Sequence, residues 1–264
     1  MSTFAPAAPS AAETLPRTID QVLVRLNGIL DDSLRGGTRI GYFAALYERV
    51  TTNVRRALVA GNVFQDNPRM ERLDVVFANR FLAAWDQHVA GGTPSQSWQA
   101  AFALLDDPGP LIVQHLLVGM NAHINLDLGI AAATVAPSPE ALQSLWPDFK
   151  KINEVLSRLV IVVEDELGEV SPRLKRIEDI APALEDMLFD FGIDVARDVA
   201  WALAQELGRT PADGWDAVIA RRDAEVAAVG RALYPLHGLA GHVQSWIHAA
   251  ESTDIRYNIQ VVAE

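Results

Sequence analysis

The chain has 264 residues, of which 50% are hydrophobic and 21% are charged, a composition typical of a globular protein that can bury its own core. It contains no cysteine, which excludes disulfides, thiolate metal sites and cysteine nucleophiles. The formal net charge is -12, and the sequence has no basic stripe, so nucleic acid and anionic membrane surfaces are not expected as partners.

The N-terminal residues do not look like a secretory signal, because they lack both a basic region and an apolar region. Residues 1–16 are rich in Ala, Pro and Ser, which is typical of a disordered tail. No uninterrupted run of about 18 apolar residues occurs, so we expect no membrane span. Together these features favour a cytoplasmic protein in which residues 17–264 form one domain.

Helix signals follow one another along the rest of the chain, whereas strand signals are nearly absent. Ser138 and Pro139 form an N-cap followed by a proline at the first helical position, and glycine pairs are typical of helix ends. We expect Pro147 to break one helix into two parts. The predicted helices are at about 18–34, 38–60, 68–90, 95–105, 110–133, 139–169, 181–207, 213–233, 238–251 and 254–262. The fold class is therefore all-α, a single bundle of about nine or ten helices around a buried central helix at about 110–133.

The central segment is apolar on every side and lacks Lys, Arg and Glu, as expected for a helix buried in a bundle. It nevertheless contains six polar side chains, namely Gln114, His115, Asn121, His123, Asn125 and Asp127. A buried polar group costs roughly 1–3 kcal/mol if it stays unpaired, so these side chains must find partners.

Helical spacing places these polar residues on two stripes. One stripe follows intervals of four and consists of His115, Gly119, His123 and Asp127; the other consists of Gln114, Asn121 and Asn125. Asp127 lies one turn from His123 and can bind one imidazole nitrogen, which raises the basicity of the other. Gly119 leaves a space between the two histidines that could admit a ligand. The alternative is a purely structural role, in which the His–Asp pair joins two helices and the glycine permits close packing.

Polar residues on three other predicted helices are weaker candidates. In the helix at 181–207, Arg197 could hold a substrate carboxylate beside Trp201, although a salt-bridge network around a core tryptophan is the alternative. The helix at 68–90 has an apolar face that is interrupted by Asn79, Arg80, Trp85 and Asp86. Asn79 and Asp86 could face the central helix and pair with its amides, although pure packing is the alternative. Asp165 lies in an acidic helix end that opposes the helix dipole, although a solvated face would explain it equally.

Motifs of the common metal and nucleotide sites are absent. The sequence contains no His-Glu-x-x-His, no Gly-x-Ser-x-Gly and no phosphate-binding glycine loop. His237, His242 and His248 do not share one helical face and are interpreted as non-ligands. No cofactor is predicted. A single divalent metal held by His123, Asp127 and a third ligand from another helix stays an alternative.

Four stretches resemble an uncharacterised bacterial family, the domain-of-unknown-function family numbered 5995. They are residues 77–80, 114–128, 165–172 and 196–201. The resemblance runs from about residue 20 to the C-terminus and implies an all-helical fold, without an established activity. It also implies that one constellation contains His115, Asn121, His123, Asn125, Asp127, Asp165 and Arg197.

Two classes of function fit these patterns. The first is an enzyme acting on a mostly apolar small molecule, for example in secondary metabolism, inside an internal pocket. His123 oriented by Asp127 would be its general acid/base, and His115 a second proton-transfer group or ligand. The substrate-binding residues would be Asn121, Asn125, Gly119, Arg197, Trp201, Asn79, Arg80 and Asp165. The second is a non-catalytic ligand-binding or scaffold protein whose polar stripes are satisfied core networks. The sequence favours the enzyme without indicating its reaction class or oligomeric state.

Overall fold

The computed structural model describes residues 15–176 and 193–264, except for the side chains of 153–165, 175, 193 and 194. These ranges are helical and contain no strand, which confirms the all-α prediction. The described α-helices are α1 Ile19–Gly36, α2 Ile40–Ala60, α3 Asn67–Val89, α4 Gln96–Phe102, α5 Ile112–Ala122, α6 Gly129–Val135, α7 Pro139–Val170, α8 Ile193–Arg209, α9 Trp215–Ala232, α10 Gly238–His248 and α11 Ile255–Ala263. A π-helical segment, His123–Leu128, connects α5 to α6. Most of the predicted N-terminal tail and the predicted first turns at 181–192 lie outside the described residues.

The helix ends follow the capping signals of the sequence. The Ser138 side chain accepts a hydrogen bond from the main-chain N–H of Ala141 at the start of α7, and Gly37 ends α1 in the left-handed conformation. The expected break at Pro147 is wrong, because α7 continues through this residue. A proline inside a helix removes one main-chain hydrogen bond, and close packing compensates here, since Leu145 and Phe149 on either side are both fully buried.

The segment Ile112–Val135, made of α5, the π-helical segment and α6, is the central helix of the fold. It contacts α2, α3, α4, α8 and α9. Within the described residues it is the one helix long and apolar enough to cross a membrane. Its most apolar stretch of 18 residues has a mean hydropathy of 1.3, and 83% of this stretch is buried by the rest of the chain. A helix in the middle of a globular core has the same length and composition, so these properties do not establish a membrane span.

Two clusters of buried apolar side chains surround the central helix. The first contains Phe43, Phe81 and Trp98, contributed by α2, α3 and α4. The second is centred on α6, α7 and α8. Phe77 packs against both clusters, so its position on α3 marks the seam between them.

Buried carboxylates from the second half of the chain hold the N-terminal ends of α3, α4 and α5. Asp148 of α7 accepts hydrogen bonds from two main-chain N–H groups just before α3, at 2.7 and 3.1 Å. Asp223 of α9 accepts from the first two N–H groups of α4, at 2.7 and 2.9 Å. Glu251, which follows α10, accepts from the N–H of Ile112 at the start of α5, at 3.2 Å. The first N–H groups of a helix have no partner within it, so these hydrogen bonds fix the N-terminal ends of three helices that carry or adjoin the site described next.

Candidate functional site

The central polar residues His123, Asn125 and Asp127 all lie in the π-helical segment. Sequence spacing predicted an ordinary α-helix here, and the structure differs. A π-helical turn contains one extra residue, is wider than an α-helical turn and is frequent at functional sites. The extra residue leaves no mark in the hydrophobic pattern, so the sequence did not indicate it.

His123 and Asp127 form the pair that their spacing predicted. The imidazole Nδ1 lies 3.3 Å from Asp127 Oδ2, and the two side chains are 4% and 1% exposed. This contact assigns the proton to Nδ1, which donates to the carboxylate, and leaves the lone pair on Nε2. Nε2 is buried and has no hydrogen-bond partner in the part of the chain that the structure describes. Burial lowers the pKa of His123, although Asp127 opposes this shift, so the ring is a neutral base.

Two further donors hold the Asp127 carboxylate. Arg80 Nε donates to Oδ1 at 3.0 Å, and Trp98 Nε1 donates to Oδ2 at 2.8 Å. Arg80 was a sequence candidate, but its pairing with Asp127 was not predicted. Trp98 was missed, because nothing in its sequence neighbourhood distinguishes it from a packing residue. The carboxylate is therefore fixed from α3 and α4 as well as by the imidazole.

Aromatic rings surround the imidazole of His123. Phe77 stacks on it with 3.6 Å between ring centroids and an angle of 7° between the planes. Tyr47 approaches it edge-on at 4.6 Å. The other rings within 6.2 Å are those of Phe43, Phe81 and Trp98. A ring this enclosed is poorly solvated, which is the physical cause of its lowered pKa.

Tyr47 and Asp74 add two polar groups that sequence reasoning missed. The Tyr47 hydroxyl and Asp74 Oδ2 are buried without a hydrogen-bond partner among the described residues. Burial raises the pKa of Asp74 to about 7, and Glu71 adds to the shift. Burial also raises the pKa of Tyr47, and so do the charges of Asp74 and Asp127. The sequence did contain a signal for Asp74, because this acidic residue lies between Leu73 and Val75 in an apolar stretch.

His115 was expected to belong to this group, but it does not. Both of its ring nitrogens are buried without a partner in the described parts of the chain, and its ring packs edge-on against Tyr42 at 5.7 Å. Burial lowers its pKa to about 3, helped by the charge of Arg39. The expected ligand space at Gly119 is wrong, because a Cβ atom there would lie 2.7 Å from Phe43 Cδ2. The ring of Phe43 fills the space that separates the two histidines along the helix.

The side chains of the second polar stripe donate hydrogen bonds to main chain and to each other, while Asn125 Oδ1 is buried without a partner among the described residues. Gln114 donates to the carbonyl of Leu233 at 2.7 Å, and Asn121 donates to the carbonyl of Val226 at 2.8 Å. Asn125 donates to the side-chain oxygen of Asn121 at 2.9 Å. Asn121 Nδ2 thus joins the central helix to α9, as the structural alternative predicted, whereas its Oδ1 is bonded within the central helix.

Trp201 belongs to the second apolar cluster, and Arg197 packs against Phe149 of the same cluster. The guanidinium of Arg197 donates to the carbonyl of Phe149 at 2.6 Å and lies 4.3 Å from the centre of the Phe149 ring. The Trp201 ring lies 4.7 Å from the same phenylalanine. These contacts tie α8 to α7 in the manner of a core network. The side chain of Asp165 lies outside the described residues.

Asn79 and Asp86 do not pair with the central helix. Asn79 donates to the carbonyl of Pro16 at 2.9 Å, and Asp86 accepts from Arg25 of α1 at 2.7 Å. This face of α3 is covered by α1 and the residues before it, so both side chains are directed away from the central helix. Asn79 is consequently not part of the site, whereas Arg80, the next residue, is.

The donors around Asp127 fit a metal poorly. A guanidinium and two N–H groups already occupy its oxygens, and the positive charge of Arg80 opposes a second cation. Across residues 15–176 and 193–264, where side chains are described, no three His, Asp or Glu residues are grouped as metal ligands. His237, His242 and His248, interpreted as non-ligands, lie in this range.

The fold and the site define an all-α protein whose core holds a carboxylate–imidazole pair inside an aromatic cage at a π-helical turn. The chain belongs to the family of unknown function DUF5995, whose model matches residues 19–235, a span that includes the whole candidate site. Comparison with curated proteins and with solved structures finds no match.

Proposed function

We propose that this protein is an enzyme that acts on a small, mostly apolar molecule at His123. The observation that carries the proposal is the unpaired Nε2 of a buried imidazole whose other nitrogen is held by a carboxylate. An unsatisfied buried acceptor costs about 1–3 kcal/mol, and a catalytic role is one explanation for such a cost. The general acid/base would be His123.

The surroundings of His123 suit a general base. A base must be unprotonated before it reacts, and burial lowers the pKa of this imidazole, which keeps it neutral at neutral pH. When Nε2 takes a proton, the adjacent Asp127 stabilises the imidazolium that forms. Arg80 and Trp98 hold Asp127 in place, so they are positioning residues for the pair. The Phe43 ring at Gly119 leaves His115 without a role in this step.

A non-catalytic ligand-binding or scaffold protein is the second candidate. The pairing of Gln114 and Asn121 with main-chain carbonyls favours it, because these polar residues already serve to join helices. In that case the aromatic cage around His123 would only recognise a ligand or stabilise the core. A metal-dependent enzyme would differ from both, since elemental analysis of the purified protein would then find one divalent metal per chain.

Metabolite profiling of purified variants tests the proposal. Wild-type protein, His123→Ala and His115→Ala would each be incubated with a small-molecule cell extract and analysed by mass spectrometry. We expect wild type and His115→Ala to consume the same compound and His123→Ala to lose this turnover, with the helical circular dichroism spectrum retained by all three. Turnover that persists in His123→Ala would contradict the assignment. If the wild type turns over no compound and His123→Ala has a lower melting temperature, the scaffold function would be favoured.

A further inference from the structure

Three buried polar atoms without partners belong to His123 and to residues near it. They are His123 Nε2, the hydroxyl of Tyr47 and Asp74 Oδ2, each of them unpaired among the residues that the structure describes. The Tyr47 ring lies 4.6 Å from the imidazole and 6.0 Å from Phe77. Phe77 stacks on the imidazole and lies three residues after Asp74 on α3, so Asp74 is about one helical turn away along the same helix.

The three groups are complementary in hydrogen bonding. His123 Nε2 offers a lone pair and no proton, because Nδ1 carries the proton that faces Asp127. The Tyr47 hydroxyl offers a proton. Asp74 also offers one when it is neutral, and burial raises its pKa to about 7, so the protonated form persists into the neutral range. An acceptor and two donors of this kind suit a single oxygen atom that both gives and receives hydrogen bonds.

The charges around these groups disfavour an anion. The carboxylate of Glu71 acts on Asp74, and the carboxylate of Asp127 acts on Tyr47. The guanidinium of Arg80 is already paired with Asp127. A ligand carboxylate or phosphate would therefore meet negative charge and lose its hydration without gaining a free counter-ion.

We propose that Tyr47 and Asp74 form the hydrogen-bonding half of the His123 site and that this site takes an uncharged apolar compound with one hydroxyl group. The inference rests on the proposed function, because it specifies the substrate class of the same site. The aromatic rings of Phe43, Phe77 and Phe81 supply the apolar surroundings for the body of such a compound. The ligand oxygen receives hydrogen bonds from Tyr47 and Asp74, and a ligand hydroxyl donates to His123.

Equilibrium dialysis with a matched pair of probes tests this. The probes are 2-naphthol, which is neutral at pH 7, and 2-naphthoate, which has the same ring system and a negative charge. We expect wild type to bind 2-naphthol at least about tenfold more tightly than 2-naphthoate. Tyr47→Phe should weaken the binding of 2-naphthol about tenfold, the loss expected for one hydrogen bond. Asp74→Asn keeps a donor and should retain binding, whereas Asp74→Leu should weaken it.

Tyr42→Phe is the matched control, because Tyr42 is a second buried tyrosine on α2 and its hydroxyl bonds to Asn258. Equal or tighter binding of 2-naphthoate, binding of neither probe, or equal losses in Tyr47→Phe and Tyr42→Phe would each overturn the inference.

The failure of this inference is separable from the failure of the proposed function. If 2-naphthol binds as expected but no compound is turned over, catalysis fails and the ligand class stands. If His123→Ala loses turnover but 2-naphthol does not bind to the wild type, the ligand class fails and the catalytic assignment stands.

Discussion

Arg80 reaches from the surface to Asp127 in the core. Its Nε lies 3.0 Å from Asp127 Oδ1, and the two side chains are 35% and 1% exposed. The carboxylate that orients His123 is thus neutralised by a residue that solvent still reaches in part. A buried charge without a counter-ion is unfavourable, so this ion pair is a condition for having Asp127 inside the core at all.

Arg80→Leu should destabilise the protein by about 2–3 kcal/mol, because it leaves the charge of Asp127 buried without its cation. The value is below that of a fully buried pair, since solvent partly screens Arg80. Arg55→Leu is the control, as it removes an exposed ion pair with Asp20 and should cost less than about 1 kcal/mol. Urea denaturation of the three proteins measures both changes. Equal losses in the two variants would show that Asp127 does not depend on Arg80.

Trp98→Phe should remove the indole N–H that binds Asp127 while keeping an aromatic ring beside Phe102. A hydrogen bond to a charged group contributes about 1.5–3 kcal/mol, so we expect a loss of stability in this range. Trp215→Phe is the control, because the Trp215 indole N–H donates to neutral main-chain carbonyls at 3.0 and 3.1 Å and should cost about 1 kcal/mol. Any turnover found for the wild type should also fall in Trp98→Phe, since the His123–Asp127 pair loses a positioning contact. A Trp98→Phe variant as stable and active as Trp215→Phe would contradict this role.

The sequence predicted the parts of the structure that depend on local spacing. Capping residues such as Ser138 indicated helix ends, and the interval of four residues correctly predicted the contact between His123 and Asp127. These interactions lie within one or two turns of helix, where geometry follows directly from residue number. The buried central helix was likewise evident from an apolar composition on every side.

The contacts that complete the site join distant residues and were not predictable in this way. Arg80 and Trp98 are separated from Asp127 by 47 and 29 residues, so their contact depends on how three helices pack. The same uncertainty applies to Asn79, because an amphipathic pattern does not indicate which neighbour a polar side chain meets. The Phe43 ring at Gly119 is a further packing outcome of this kind.

Glu251→Gln should change the pH dependence of stability in a defined direction. Burial raises the pKa of Glu251 from 4.5 to about 7, although the N–H of Ile112 opposes the shift. The folded state then holds the proton more tightly than the unfolded state. The contribution of Glu251 is therefore fully present below pH 4.5 and is lost as the pH rises through about 7. The stability of wild type relative to Glu251→Gln should fall by about 3 kcal/mol across this range. A constant difference in urea denaturation experiments between these pH values would contradict the raised pKa.

His115→Gln should show the opposite dependence. Burial lowers the pKa of His115 from 6.5 to about 3, so the unfolded state takes up the proton first as the pH falls. The stabilising contribution is present above pH 6.5 and is lost as the pH falls towards 3. The stability of wild type relative to His115→Gln should thus decrease by a few kcal/mol on acidification. Because the slopes for the two variants differ in sign, a general effect of pH on folding cannot produce both, and equal signs would contradict the buried neutral state of His115.

Gly119→Ala tests whether the space between the two histidines is filled in solution. The added Cβ would lie 2.7 Å from the Phe43 ring, so the ring must move, and overpacking of this kind costs about 1–3 kcal/mol. Gly28→Ala is the matched control, because Gly28 is also a helical glycine but nothing lies within 4 Å of its added Cβ. Alanine has the higher helix propensity, so this control should be stabilised by up to about 1 kcal/mol. Urea denaturation distinguishes the two outcomes. If Gly119→Ala were as stable as Gly28→Ala, Phe43 would not occupy this position in solution, and a ligand space between His115 and His123 would be open after all.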